Sequence, residues 1–500
     1  MGDMRKSAAD GRAMLGSRLA ALRAAAGYTQ ETFAPATRFY GRSSIANIER
    51  GRQSAPRDFW VRCDELLNAD GYFAREHDRL VEQAVAEEMR RFTQHSSQAL
   101  TARWFSAPQP GKAMSLGSPN GNREALTQVA VVALPHGRYF SGTELDVRVF
   151  PAVADGRVLA QLPPGFNNDA FLTRGRRGLV IGAVHERESD YLYGLDTRNA
   201  RRRLAGPASN ARLLIPDAYL LDEVTIGLLW AIVNFDEALL NDDSILAEYI
   251  TDLGHLADLD RSSAGVASAA DLSPTSLMWL GSDFCARHIL RNAVHLSDTP
   301  AFWTREQRGE EASAWLLFAH KFRYLEQLRE RYPTGMTRTF CVPEATVGAS
   351  PNSERVLVLL VAALMESFGI RCLVTSEPEY AGVDGFVLDS RRRAIIANWL
   401  GAEGIWFVDV TDSRTTVREY VDANSYVQAH SAITGATPAL RLHELAAYLG
   451  LQWSTVTRRC ADLAEYGIAG LAEPRSRLLS LAGAERACRY LGDLTPATSR

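Results

Sequence analysis

Four polar side chains near the start of the chain, Arg42, Ser43, Ser44 and Asn47, fall on the outer side of a segment whose Ile45 and Ile48 turn inward. Their chemistry is hydrogen bonding to flat edges: arginine suits guanine, asparagine suits adenine, and serine is tolerant. Upstream, Thr29 is placed to cap a helix, its hydroxyl accepting a backbone N–H of the first turn. Gln30 then sits at the first helical position beside the free N–H groups, which suits a phosphate oxygen. Arg50 and Arg52, on either side of Gly51, extend the basic surface.

Two short helices joined by a tight turn must hold these groups. The second is expected over 42–50, stopped by Gly51. A preceding helix places Leu15, Leu19 and Leu22 on one face and breaks at Gly27. Pro56 opens a further helix in which Phe59, Cys63, Leu66 and Leu67 close a small core, and a helix over 74–91 is expected to pack inward or to form a dimer contact. Pro35 falls inside the first of the paired helices, where it removes a hydrogen bond and predicts a kink. The turn carries Arg38-Phe39-Tyr40 and no mid-turn glycine.

The stretch 14–67 resembles the XRE (Cro/phage-repressor) helix-turn-helix family. The resemblance is carried by Leu19-x-x-Leu22-Arg23, Thr29-Gln30-Glu31, Arg42-Ser43-Ser44-Ile45-x-x-Ile48-Glu49-Arg50-Gly51 and Phe59-Trp60-x-x-Cys63-Asp64. It implies double-stranded DNA as the partner, with Gln30 on phosphate and Arg42, Ser43 and Asn47 facing bases.

Charge distribution agrees with a local role. The chain of 500 residues has net charge −4, yet residues 1–62 hold eleven Arg/Lys against five Asp/Glu, an excess of six. A basic end on a mildly acidic protein fits nucleic-acid binding at that end only. Lysine occurs three times, at 6, 112 and 321, so the other basic residues are arginine; with abundant alanine this is the bias of a high-GC bacterial genome. The six cysteines are scattered and form no Cys-x-x-Cys, as reduced thiols in the cytoplasm would be. No apolar leader is visible, and the longest apolar run, 356–365, is too short to cross a bilayer, so a cytoplasmic, nucleoid-associated protein without membrane contact is expected.

The expected fold class is mixed and multidomain: an all-α N-terminal helix-turn-helix domain (1–92), a flexible Ser/Gly/Pro linker (93–126), central α+β domains, and a C-terminal winged helix (437–495). The first central domain (127–262) opens with strands over 129–134, 145–150, 158–162 and 178–184. Arginines at 174–177 and 198–203 suit either an anionic ligand or a solvated loop face. The helix 224–240 is apolar on nearly every side and belongs in a domain core or a subunit interface. The second central domain (276–430) combines a helical region, 277–331, with a small α/β lobe: a helix over 353–367, strands at 370–375, 384–388, 394–399 and 405–410, and a helix at 414–422.

At the C-terminal end, two helices around 443–450 and 452–466 precede an expected strand pair, 468–471 with 477–481, and a last helix from about 483. This order resembles the winged-helix family. The resemblance implies that Trp453, Ser454, Thr457 and Arg458 enter a groove while Arg475 and Arg477 lie on the wing.

Catalytic patterns are missing from the sequence. There is no Gly-x-Ser-x-Gly, His-Glu-x-x-His, phosphate loop or dinucleotide fingerprint. Asp384 opens a strand as a nuclease carboxylate would, but the next strand ends Ala397-Asn398-Trp399, without the metal-binding acid and lysine that chemistry needs. Cys285-Ala-Arg-His288 is half a zinc site with no second half. The expectation is therefore a sequence-specific transcriptional regulator, not an enzyme. It needs neither cofactor nor metal, and works as a homodimer on an inverted repeat, with a small-molecule or protein effector acting on the central domains. The alternatives are a DNA-tethered enzyme with a degenerate nuclease-like lobe, or an antitoxin-like scaffold.

Overall fold

A computed structural model describes residues 3–39, 41–53, 55–80, 128–154, 157–186, 189–205, 212–257, 263–265, 271–296, 299–389, 393–399 and 405–494. The expected linker and the second half of the helix expected over 74–91 lie outside the described residues. The chain forms two compact units, Met1–His95 and Ser96–Arg500.

In the first unit, α1 (Asp3–Ala25), α2 (Gln30–Thr37), α3 (Arg42–Glu49), α4 (Arg57–Leu67) and α5 (72–80 in its described part) surround one small core. Leu15, Leu19, Phe33, Ile45, Ile48, Phe59 and Cys63 are all buried in it. Helix α1 crosses the end of α3 so closely that a Cβ on Gly16 would lie 2.3 Å from the Ile48 carbonyl oxygen. Pro35 is tolerated because α2 ends two residues later, so the lost hydrogen bond falls near a terminus. Arg38 then closes the helix at φ 63°, the left-handed conformation a glycine would take more easily, at a cost of roughly 1–2 kcal/mol. The Asp64 carboxylate accepts the backbone N–H groups of Phe73 and Ala74, each at 2.9 Å, and so fixes the start of α5.

The second unit holds two sheets. The first has strands β1 (Gln128–Leu134), β2 (Thr143–Ala154), β3 (Val158–Gln161), β4 (Gly178–Glu186), β5 (Ser189–Asp196) and β6 (Arg212–Ile215), with α6 (Thr197–Leu204) between the last two. Its order is β5-β4-β2-β3-β6, with β1 paired to the long β2; β2 and β4 run parallel and the other pairs antiparallel. The second sheet contains β7 (Ser263–Gly265), β8 (Ala301–Glu306), β9 (Met336–Cys341), β10 (Ile370–Thr375), β11 (Gly385–Asp389), β12 (Arg393–Asn398) and β13 (Ile405–Thr411), in the order β10-β9-β8-β11-β12-β13-β7. Strands β8, β9 and β10 are parallel, and the remaining pairs antiparallel.

The helices of this unit are α7 (Glu223–Asn241), α8 (Asp243–Ala257), α9 (Pro274–Asn292), α10 (Gly309–Leu317), α11 (Ala319–Arg331), α12 (Glu344–Ala349), α13 (Asn352–Ser367), α14 (Arg414–His430), α15 (Pro438–Tyr448), α16 (Trp453–Tyr466) and α17 (Ala482–Asp493). The all-round apolar α7 is buried inside its own chain, against α13 above all; a Cβ on Gly227 would stand 2.3 Å from the Ser353 carbonyl oxygen. That burial uses up the face that the sequence left open to a subunit interface. The stretch 277–331, expected to be helical throughout, is interrupted by β8, which places Trp303 on a strand. Its six residues are too few to declare a period against the long helices on either side.

The C-terminal segment departs most from expectation. Residues 467–481 form no strand pair; Leu479 makes a single bridge to Phe318, so there is no wing. Helices α15 to α17 bury their apolar faces in the same cluster as the sheets and α13, which runs from Ala130 to Leu491. Buried ion pairs tie them there. Arg441 on α15 grips Glu366 of α13 with two bonds of 2.7 Å, and Arg459 on α16 holds Asp222 at the start of α7. The loop after α16 donates the Arg475 and Ser476 backbone N–H groups to Asp236 of α7. The separate domains expected at 127–262, 276–430 and 437–495 are thus one unit.

Candidate nucleic-acid interface

The candidate surface of the first unit rests on three joints. Thr29 and Thr32 cap α2 reciprocally: the Thr29 hydroxyl accepts the Thr32 N–H at 3.2 Å, and the Thr32 hydroxyl accepts the Thr29 N–H at 3.0 Å. Gly41 caps α3 in an extended conformation with no side chain over its first turn. The third joint is electrostatic. Glu49, at the end of α3 and nearly buried, accepts Arg23 Nε at 2.6 Å and Nη2 at 3.3 Å from α1, and Gln30 Nε2 at 2.6 Å from α2. Arg23 Nη1 also donates to the Tyr28 carbonyl oxygen at 2.6 Å. One carboxylate therefore fixes the angles among three helices.

On this frame Arg42 and Ser43 are exposed and Ser44 and Asn47 half-buried along α3, with Arg50 and Arg52 exposed at its end. Arg42 makes one loose ion pair, 3.7 Å from Glu31, with both side chains well exposed. Such a pair contributes little and yields readily to a competing acceptor. Gln30, Glu31 and Arg42 border one open hollow together with Arg23 and Tyr28. The structure thus brings Arg42, one of the residues expected at bases, together with Gln30, the one expected at phosphate, while Ser43 and Asn47 lie further along α3 outside the hollow. It adds one feature the sequence reading lacked: the Gln30 amide is already committed to Glu49, which leaves its second amide hydrogen and its backbone N–H for a phosphate. Arg23 and Glu49 stood in the quoted motif, and their opposite charges were the available signal.

The C-terminal residues expected at DNA are not assembled as a reading head. Ser454, Arg458 and Arg477 are exposed and Trp453 half-buried beside His443, but Thr457 is buried. Arg475 is folded back, its Nη1 donating to the Gly175 carbonyl oxygen at 2.5 Å. Nor do the arginines of 174–203 gather around an empty site. Arg177 is buried between Asp196 at 2.5 Å and Asp236 at 2.6 Å, Arg174 faces Asp146 at 3.4 Å, and Arg202 faces Glu473 at 3.2 Å. Asp384, the nuclease-like carboxylate, pairs with Arg305 at 3.4 Å. Among the described residues no group of three or more His, Cys, Asp or Glu could hold a metal ion. Cys285 and His288 are both buried, and burial pushes the Cys285 thiol up and the His288 imidazole down to about 4.

Residues 14–76 match a family of helix-turn-helix domains. The chain carries a helix-turn-helix. The match takes in α1 from Met14 onward, α2, α3, α4 and the start of α5, so every residue of the candidate surface described above lies within it. No curated protein and no solved structure shows significant similarity to the chain. Among the described residues no helix is long and apolar enough to cross a membrane.

Proposed function

We propose that this protein is a sequence-specific transcriptional regulator of the XRE type. Its helix-turn-helix reads duplex DNA through α3, and its second unit senses or assembles and carries out no reaction. The observation that carries this reading is the pairing of opposite qualities in α3. Ile45, Ile48 and Glu49 are locked into the unit, while Arg42, Ser43 and Asn47 make no side-chain hydrogen bond to the described residues. A rigid helix with uncommitted donors is what base readout requires, since every donor ordered in advance lowers the entropy cost of recognition. The uncapped N-terminal end of α3, and the first-turn N–H groups of α2 that its capping box leaves free, supply positive ends of helix dipoles for flanking phosphates.

Arg42→Ala is the test. Against the preferred duplex it should cost about 1–3 kcal/mol, and only at one base position, where preference then relaxes. A loss of equal size on every sequence would place Arg42 on phosphate and sink the assignment.

A single reading head spans only a half-site, so the working form is a homodimer on an inverted repeat, its two heads about 34 Å apart along one face of the duplex. With α7 consumed by its own core, the dimer contact belongs elsewhere.

A further inference from the structure

Between the second sheet and helices α9, α10 and α11 lies a partly enclosed cavity of about 80 Å³. Two basic side chains line it, Lys321 from α11 and Arg338 from β9, exposed to only 6% and 3%. A charge withdrawn from water this far requires a counter-charge or a full set of hydrogen bonds. The other buried arginines of this unit have one: Arg177, Arg441 and Arg459 each meet a carboxylate. Among the described residues Lys321 and Arg338 meet none. The groups that act on Lys321 are Arg338, which repels it, and the Cys285 thiol, which burial keeps protonated. Glu311 is the acid in the lining, and its carboxylate is turned to the Arg308 N–H at 3.1 Å and to Arg138 at 3.5 Å. Burial and Arg338 together push the Lys321 ammonium down to about 7.

The unpaired groups have a shape. Arg338 donates from Nη1 to the Thr304 hydroxyl at 2.8 Å, and the Tyr324 hydroxyl in the same lining also acts on the guanidinium, but no acceptor among the described residues lies within hydrogen-bond reach of its buried Nε and Nη2. Those two N–H groups form the edge with which a guanidinium grips a carboxylate by two parallel bonds. The guanidinium carbon is held 4.8 Å from the Phe302 ring and 4.6 Å from that of Trp315, which fixes the plane of the fork. Lys321 Nζ stands 3.7 Å from the Trp315 ring centroid and 5.3 Å from that of Trp399. The rings offer a cation electrostatic support but take none of its hydrogen bonds.

We propose that this cavity is a binding site for a small organic carboxylate, its two oxygens on the Nε–Nη2 edge of Arg338 and against Lys321, its apolar body between the aromatic walls. The volume, several times the roughly 10–15 Å³ that one water occupies on the same measure, leaves room for the head group and a few carbons. The site stands on the cavity alone; that its occupancy sets DNA affinity rests on the regulator reading above.

The test uses the full chain in a buffer free of carboxylates and phosphate, at constant ionic strength. Thermal denaturation and tryptophan fluorescence are followed with acetate, propionate, butyrate and benzoate, each beside its neutral amide, and with inorganic phosphate. At least one carboxylate should raise the melting temperature saturably and change the fluorescence at one equivalent per chain, while its amide does neither. Arg338→Lys should weaken that response at least tenfold, because it keeps the charge and loses the fork. Lys321→Met, a second and independent variant, should weaken it as well. The proposal is overturned if no carboxylate outperforms its amide at 10 mM, if phosphate alone responds, or if the response survives in both variants. A gel shift with and without the responding carboxylate then addresses coupling: unchanged DNA affinity would remove the effector role and leave the binding site standing.

Discussion

Replacing Glu49 by alanine should loosen the helix-turn-helix more than any other single change to a polar side chain of that unit. The carboxylate is 6% exposed and Arg23 12%, and the two meet at 2.6 Å with Gln30 bonded to the same group. Removing one partner of a buried pair leaves the other charged and out of water, at a cost of about 3–5 kcal/mol. Arg23 keeps its bond to the Tyr28 carbonyl oxygen and a little solvent, so the lower end, about 3 kcal/mol, is the estimate for this site. For a unit of this size that lowers the melting temperature by roughly 12–24 °C. The assay is urea denaturation of a fragment ending at His95, followed by circular dichroism. Arg23→Met combined with Glu49→Leu should recover most of the loss, since an apolar pair of similar volume leaves no stranded charge. A loss below about 1 kcal/mol for Glu49→Ala would mean that the pair behaves as a solvent-screened surface contact, and the three-helix joint would not be the frame described.

Two further outcomes are expected. Lys321, pushed from an ordinary 10.5 to about 7, is neutral in the folded chain and protonated in the unfolded one between those values. The unfolded state then binds more protons, so stability rises with pH by about 1.4 kcal/mol per unit. Glu311 and Glu354, raised to about 7 by burial, act in the opposite sense below that pH. The buried thiols oppose it above about 8.5. Between about pH 7 and 8 the wild type should therefore gain roughly 1 kcal/mol more than Lys321→Met in chemical denaturation, and equal gains would show that Lys321 stays charged. Light scattering of the full chain should give a dimer on its preferred duplex; a monomer both free and bound would remove the inverted-repeat geometry.

The helix-turn-helix was legible because local signals agreed there. Thr29 caps, Ile45 and Ile48 keep the helical period, and Gly51 stops α3, all within a stretch shorter than thirty residues. The α/β lobe was legible for the same reason: β10, β11, β12 and β13 lie within a residue or two of where alternation placed them. Strands β5, β6, β7, β8 and β9 were not read: β6 to β9 are short and lie among helices, where they carry little period of their own and take their identity from partners far along the chain, and β5, though eight residues long, was simply missed. The missing wing has a similar origin. Residues 468–481 have the composition of a hairpin, but Asp236, more than two hundred residues upstream, claims the backbone N–H groups of Arg475 and Ser476. Burial of polar groups was the least visible feature. Nothing local marks Arg177 as ion-paired and Arg338 as unpaired, although Lys321, one of three lysines and set in an apolar run, was a hint.

The central claim, that α3 reads base sequence, is tested most directly by selecting bound duplexes from a random pool with the full chain. The expected result is an enriched motif of a few base pairs repeated in inverted orientation, with one position that becomes indifferent in Arg42→Ala and another in Asn47→Ala. A pool that stays random while binding falls steeply with salt would show an interaction with the phosphate backbone alone, and would contradict it.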